Sequence, residues 1–344
     1  MRILHVTLTL KGASGVVTFV RELNERLCTR GIESVVETNN DVTKLLNDNW
    51  DIIHIHGLWL YQHVVKLSKK NGIPIIWSTH GMTAPWSMHH KWWKKIPAWW
   101  LYQKQELKSA AIIHCTTEQE VEWNKSLGIS NCFIAPLGTN EDSYQPINKK
   151  GDKNEKVLLF VGRIHPVKGL ENLIIAWSKL FSSASNIWGS SEYWKLKIVG
   201  PDERGHLTKL KNLVNKYRLN ESVEFIDPKY GTELSKEYEL CDCLILPSFT
   251  ENFGATVIDA MGHGKPCITS TFTPWKELQE RGCGWWVSNE PSILSKAIKE
   301  MINSGDDVRH EMGMKGWALV KEKYTWDAVI DKMIEKYNLL IQKS

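Results

Sequence analysis

Short apolar runs alternate with stretches of helical spacing along almost the whole chain. Ile3–Leu8 is the first such run. Val16–Arg30 follows with Val16, Val20, Leu23 and Leu27 at a three-to-four spacing, and Gly31 marks the predicted end of that helix. Further strands are predicted at Ile52–His56, Pro74–Thr79, Ala111–Cys115 and Cys132–Ala135, with helices between them such as Tyr61–Lys70 and Glu118–Leu127. The pattern resumes later with Lys156–Val161, Leu196–Val199, Ser222–Ile226, Cys243–Leu246 and Lys265–Thr269. Continuous apolar runs separated by helices predict parallel strands covered on both faces, hence doubly wound α/β sheets. A last amphipathic helix is predicted over Trp326–Ile341.

Between the two sets of strands, Glu141–Lys156 is polar, carries Pro and Gly, and has no period. It reads as an interdomain linker. The expected organisation is a first domain over 1–142, a linker at 143–156, a second domain over 157–322 and a terminal helix in 323–344. A length of 344 residues accommodates two domains of ordinary size.

Composition adds limits. The chain is 42% hydrophobic and 24% charged, which suits globular structure. A net charge of +4 fits an anionic ligand or an acidic membrane surface without requiring nucleic acid, and no nucleic-acid partner is expected. The seven cysteines include no Cys-x2-Cys pair and several sit in apolar runs, so free thiols in a reducing compartment are expected. Met1–Val6 reads as a strand rather than a signal peptide, and no window reaches the ~18 apolar residues of a membrane-spanning helix. A cytoplasmic protein is expected.

The chemistry concentrates in Leu244–Ser270. The strand Leu244–Leu246 is closed by Pro247, and Glu251-Asn252-Phe253-Gly254 leads into a helix carrying Val257, Ile258 and Met261. A loop at the carboxyl end of a parallel strand, followed by free helix amides, is where α/β sheets bind anionic ligands. Glu251 and Asp259 could hold the two hydroxyl-rich ends of one long ligand, or they could be a solvated loop acid and a surface helix acid. Phe160–Gly169 ends another strand, where Arg163 and Lys168 could grip a diphosphate or simply stand in solvent.

In the first half, Gly12-Ala13-Ser14-Gly15 is a turn that suits a phosphate or a plain tight bend. It is not Gly-x-Gly-x-x-Gly, which disfavours a nicotinamide dinucleotide. His56 and His80 stand at the ends of neighbouring strands and could face one crevice. His54 and His56 share a face, but two ligands do not make a metal site, and no metal is expected. Trp86–Gln103 holds five tryptophans among cations, with a break expected at Pro97. The segment suits a membrane surface, an aromatic acceptor cleft or internal packing.

Several of these segments together resemble family 4 of the retaining, nucleotide-sugar-dependent glycosyltransferases. Glu251-Asn252-Phe253-Gly254-x4-Asp259 followed by Gly264-Lys265-Pro266 is similar to its donor signature, with Asp259 in place of the usual second Glu. Gly162-Arg163-x4-Lys168-Gly169 is similar to its diphosphate element at all four positions. Val199-Gly200-Pro201, Gly282-Cys283-Gly284 and Ser78-Thr79-His80-Gly81 are similar to further segments. The resemblance implies a GT-B fold, two Rossmann-like domains facing across a cleft with the terminal helix returning to the first.

It further implies retaining sugar transfer from a UDP- or GDP-sugar to a hydroxyl of a glycan or lipid-linked glycan, as in polysaccharide or lipopolysaccharide assembly. Catalytic roles fall to His80, Arg163, Lys168 and Glu251. Donor contacts fall to Gly15, Asn252, Phe253, Gly254, Asp259 (ribose) and Tyr230 (base loop). His56 and Trp86 lie on the acceptor side. No Asp-x-Asp occurs, so no metal-chelated diphosphate and no cofactor is expected, fixed cations acting instead. A membrane-facing role for Trp86–Gln103 would make the protein peripheral at the inner face of the cytoplasmic membrane. The alternatives are a nucleotide-sugar 2-epimerase-like enzyme and a non-catalytic binding scaffold.

Overall fold

A computed structural model describes residues 1–10, 15–39, 49–89, 92–139, 155–181 and 193–342. Most of the expected linker, and Gly12–Ser14 of the first turn, lie outside the described residues. The chain forms two compact units, Met1–Gly138 with Tyr324–Ser344, and Thr139–Lys323.

The first unit contains strands β1 (Arg2–Thr7), β2 (Glu33–Thr38), β3 (Ile52–His56), β4 (Ile75–Ser78), β5 (Ile112–Cys115) and β6 (Cys132–Ile134). They pair parallel in the order β2-β1-β3-β4-β5-β6. β2 was not among the expected strands. Its sequence, Glu-Ser-Val-Val-Glu-Thr, carries only two apolar residues because it is an edge strand covered less than its neighbours.

One face of this sheet is apolar throughout, with Leu4, Val6, Ile53, Ile55, Trp77 and Ile113 in one core. The other starts apolar with Ile3, Ile52 and Ile76 and then turns to histidine toward the carboxyl ends. Helices Gly15–Thr29 and Trp326–Ile341 cover that second face through Phe19, Leu23, Trp326, Val329, Ile330 and Met333. The terminal helix therefore belongs to the first unit, capped by the Thr325 hydroxyl accepting from Ala328 N–H. Arg30 bridges Asp327 and Asp331 at its outer edge.

The second unit contains β7 (Glu155–Val161), β8 (Tyr193–Val199), β9 (Val223–Ile226), β10 (Cys243–Leu246), β11 (Cys267–Ser270) and β12 (Gly284–Val287), all parallel, in the order β12-β11-β10-β7-β8-β9. β7 begins at Glu155, so the last two residues of the expected linker belong to the sheet. Lys156 is buried there and bound to Asp306 at 2.7 Å. β12, read only as a Gly-x-Gly segment, was also missed.

Pro97 does not break the Trp-rich segment. Helix Trp92–Ala98 carries Pro97 inside it and runs directly into a π-helical turn, Trp99–Gln103. The missing Pro97 N–H costs this helix its bond to the Trp93 carbonyl, one turn earlier, without ending it. No described helix is long and apolar enough to cross a membrane. All seven cysteines are free, and five are buried.

Candidate active site

In the second unit the strand order reverses between β7 and β10. The connections from these two strands leave in opposite directions, which opens a crevice at their carboxyl ends. Both motifs singled out above start there. After β7 the chain turns through Gly162–His165 into a short 3-10 turn, Pro166–Lys168. Gly169 closes it at φ +68°, and a Cβ there would collide with the Pro247 carbonyl oxygen. Only glycine lets this loop lie against the end of β10.

That close approach brings Lys168 to the second motif. Its Nζ lies 2.6 Å from Glu251 Oε2, both side chains being largely buried. Ser248, at the end of β10, donates to the same carboxylate oxygen at 3.0 Å. Gly254 then enters helix Ala255–Gly262 at φ +82°, where a Cβ would stand 2.9 Å from Leu246 and 3.2 Å from Glu251. The first amides of that helix therefore open beside the Glu251–Lys168 pair.

Phe253 is buried edge-on against Trp275, whose indole N–H donates to the Phe253 carbonyl. Its side chain thus holds the loop, and only backbone is left to meet a ligand. Asn252 is half-buried beside it. Asp259 sits one turn into the helix, 3.5 Å from the Tyr238 hydroxyl. Arg163 is exposed and paired with Glu203 at 2.6 Å, so it is not joined to Lys168. Tyr230 precedes helix Gly231–Leu240 with 70% of its surface exposed.

In the first unit the structure gathers more than was foreseen. His5 on β1 pairs in register with His54 on β3, and Ser78 on β4 pairs with His56 and His114. His5 Nδ1 lies 2.9 Å from His56 Nε2, and His56 Nδ1 lies 3.1 Å from His80 Nε2. A second row runs from Tyr337 through His54, Ser78 and His114 to the Ala135 carbonyl, with separations of 2.8, 2.7, 2.6 and 2.8 Å. Burial drives His5 and His80 down to about 3, and lowers His54, His56 and His114 as well. All five imidazoles are neutral at physiological pH.

His80 itself adopts φ +48°, uncommon for a side chain with a Cβ. Glu120 holds it there. This buried carboxylate accepts from Thr79 Oγ1 at 2.6 Å, Gly81 N–H at 2.5 Å, and Thr116 N–H and Oγ1 at 2.8 and 3.0 Å. Nothing in the sequence set Glu120 apart from Glu118 and Glu122 on the same helix. The histidine row did leave a trace, because Ile-x-His recurs at Ile3-x-His5, Ile52-x-His54 and Ile112-x-His114.

His5 also supplies the third ligand that the His54–His56 pair lacked in the sequence, and one nitrogen from each can lie within 4.8 Å of the others. Both ring nitrogens of His54 and of His56 are already engaged in the contacts above. An ion would have to displace them.

Gly15 is the exposed first residue of its helix, and a Cβ there would meet nothing within 4 Å among the described residues. Trp86, Trp92, Trp93, Ile96, Trp100 and Leu101 are all exposed, the last two at 68% and 79%. Of the five tryptophans in this stretch, Trp99 is the buried one, packed in the sheet core.

Comparison with known proteins bears on both units. A family model described as "Glycosyl transferases group 1" matches residues 143–317, slightly over half of the chain. A second, "Glycosyltransferase Family 4", matches 37–142. An uncharacterized glycosyltransferase of Haemophilus influenzae is 28% identical over 66% of this chain and 59% of its own length. A D-inositol 3-phosphate glycosyltransferase of Catenulispora acidiphila is 27% identical over 64% and 55%. The chain thus spans little more than half the length of these curated relatives.

Among solved structures, sucrose-phosphate synthase of Thermosynechococcus elongatus superposes with a TM-score of 0.79 at 18% identity, covering both chains fully. Anabaena HepE in complex with UDP does so with a TM-score of 0.76 at 16% identity, over 98% of this chain and all of that one. The architecture is that of the GT-B fold, with two Rossmann-like α/β domains.

Proposed function

The chain belongs to the family of glycosyl transferases group 1, and from that premise we propose that it moves a sugar from a nucleoside-diphosphate sugar to an acceptor hydroxyl with retention at the anomeric carbon. The single observation that carries this reading is the Lys168–Glu251 contact at the switch point of the second sheet. It joins a cation suited to phosphate and an acid suited to sugar hydroxyls within one salt bridge of 2.6 Å.

When the donor binds, Lys168 turns from Glu251 to the diphosphate and leaves the carboxylate to the sugar. Arg163, exposed beside it, exchanges Glu203 for the same diphosphate. Asn252, Phe253 and Gly254 contribute backbone amides at the helix entrance, whose partial positive charge adds to that of the cations. Asp259 holds the ribose, and the exposed ring of Tyr230 offers a face to the base. In the first unit His80 stands at the carboxyl end of β4 as the ligand-facing histidine, with His56 behind it.

The acceptor oxygen attacks the anomeric carbon on the face from which the diphosphate leaves. Its proton passes to the departing phosphate oxygen, so the products are glycoside and nucleoside diphosphate. Lys168, Arg163 and the amides stabilise the growing charge on the leaving group. UDP-sugars are the first donors to test, because a solved protein of this architecture was captured with UDP.

The acceptor we propose is a lipid-linked glycan presented at the inner face of the cytoplasmic membrane. Six exposed large apolar side chains within Trp86–Leu101, interleaved with Lys94 and Lys95, support it. Tryptophan and lysine together favour the interface between lipid and water. The deciding experiment measures nucleotide release from UDP-sugars with and without a lipid-linked acceptor extract. Release that depends on the acceptor is expected. Release of free UDP with an epimerised sugar and no acceptor requirement would replace this reading with an epimerase, and no binding of any nucleotide sugar would remove it.

A further inference from the structure

The two histidine rows differ in one respect. The row from Tyr337 ends on a backbone carbonyl, which can only accept. His114 therefore carries its hydrogen on Nε2 and donates to Ala135 O, and Ser78 donates to His114 Nδ1. His54 Nε2–H donates to Ser78 Oγ, and the Tyr337 hydroxyl donates to His54 Nδ1. Every member is satisfied and only one arrangement of hydrogens works.

The row from His5 has no such terminus. Three neutral rings carry one N–H each, and two contacts need one hydrogen each, so the hydrogens must all point the same way. If they point inward, His5 is left with an N–H at Nε2. That atom is fully buried and has no partner among the described residues. If they point outward, His5 Nε2 is a bare lone pair. A buried orphan donor is rarer and costlier than a buried unmet acceptor.

We infer that His5 and His56 act as positioning residues that fix His80 as its Nδ1–H tautomer, so that His80 offers a ligand at the carboxyl end of β4 a hydrogen-bond donor and not a base. The inference rests on the proposed sugar-transfer reading for what His80 touches, but not for the tautomer itself. His5 Nδ1–H donates to His56 Nε2, His56 Nδ1–H donates to His80 Nε2, and the remaining hydrogen of His80 stands on Nδ1. That nitrogen has no hydrogen-bond partner among the described residues, and the residue is half-buried at the carboxyl end of β4. The ligand it suits is a neutral hydroxyl or a carbohydrate oxygen with a free lone pair. The stacking of His54 on His56, with ring centroids 4.1 Å apart, opposes charging anywhere in the row, because one imidazolium would face a second ring in a dry layer.

Selective ring 15N labelling of histidine in the full chain reads this directly, because protonated and bare ring nitrogens differ widely in shift. Cross-peaks are assigned by His5→Phe and His80→Asn. The expected result at pH 7.5 is Nδ1-protonated His5, His56 and His80, against Nε2-protonated His54 and His114. A His80 that is Nε2-protonated overturns the inference, and so does stoichiometric zinc held by His5, His54 and His56.

His5→Phe keeps the ring shape and removes the hydrogen that orders the row. It is expected to convert His80 to a mixture of tautomers and to lower turnover about threefold to tenfold, the range of one lost neutral hydrogen bond. An unchanged His80 signal in that variant sinks the inference. If no nucleotide sugar is turned over by any form of the protein, the function fails while the wild-type tautomers still stand or fall alone.

Discussion

Glu120 offers the sharpest test of how the first unit holds its site. The substitution Glu120→Gln leaves volume almost unchanged but turns one acceptor oxygen into an NH2 donor. Glu120 Oε1 takes Thr79 and Gly81, and Oε2 takes Thr116 twice. Whichever side the amide nitrogen occupies, it faces a backbone N–H and loses that bond to a charged acceptor, while the threonine hydroxyl beside it can turn and accept from the new NH2. Such bonds are worth about 1.5–3 kcal/mol each, and a buried N–H left unmet costs about 1–3 kcal/mol more. The bonds that remain now meet a neutral amide and weaken, and with partial relaxation the sum comes to roughly 3–5 kcal/mol.

For a unit of this size each kcal/mol moves Tm by about 2–4 °C, so a drop of roughly 6–20 °C is expected by calorimetry. Glu122→Gln is the control. Glu122 is on the same helix but exposed and, among the described residues, paired only with Lys125, so it should move stability by less than about 0.5 kcal/mol. Because the Thr79–Gly81 turn holds His80 at φ +48°, Glu120→Gln should also reduce donor turnover at temperatures where the protein remains folded. A Tm within 2 °C of wild type, measured alongside the Glu122 control, would refute the account of Glu120 as the anchor of that turn.

Three further outcomes are expected. Glu251→Gln should abolish transfer, and Lys168→Ala should lower turnover on the order of 10²-fold, as loss of one fixed stabiliser of leaving-group charge does; steady-state kinetics with near-normal values for both would dismiss the switch-point site. Stability should fall as pH drops below 6.5. The buried histidines have folded pKa values below the unfolded one, so the unfolded chain takes up protons first, and at pH 5 each histidine costs up to about 2 kcal/mol. Urea midpoints that stay level between pH 7.5 and 5 would contradict this. Replacing both Trp100 and Leu101 by Ser should weaken binding to anionic vesicles at least tenfold, given about 1.5–3 kcal/mol for each large apolar side chain buried. Equal sedimentation of both proteins with vesicles would count against the membrane surface.

Apolar runs and helical spacing were enough to locate ten of the twelve strands described here, because buried parallel strands must be apolar along their whole length. The two that escaped were Glu33–Thr38 and Gly284–Val287. Both are edge strands, where one side lacks a neighbour and polar or glycine residues are tolerated. Pro97 misled for a related reason. It stands one turn into a short helix, where it removes a single hydrogen bond and leaves the following residues free to continue the turn.

Local order along the chain decided the two α/β units, the turn glycines and the two loops carrying Lys168 and Glu251, since each depends on spacing within about ten residues. Tertiary structure alone decided which distant residues meet. The reversal of strand order between β7 and β10 sets Lys168 on Glu251 across 83 residues of sequence. Sheet register stacks His5, His54 and His56 and brings Tyr337 of the terminal helix onto them, and Glu120 reaches back 41 residues to Thr79. Hydrogen bonds and ion pairs act over a few ångströms in space, and only the folded sheet converts distance along the chain into distance of that kind.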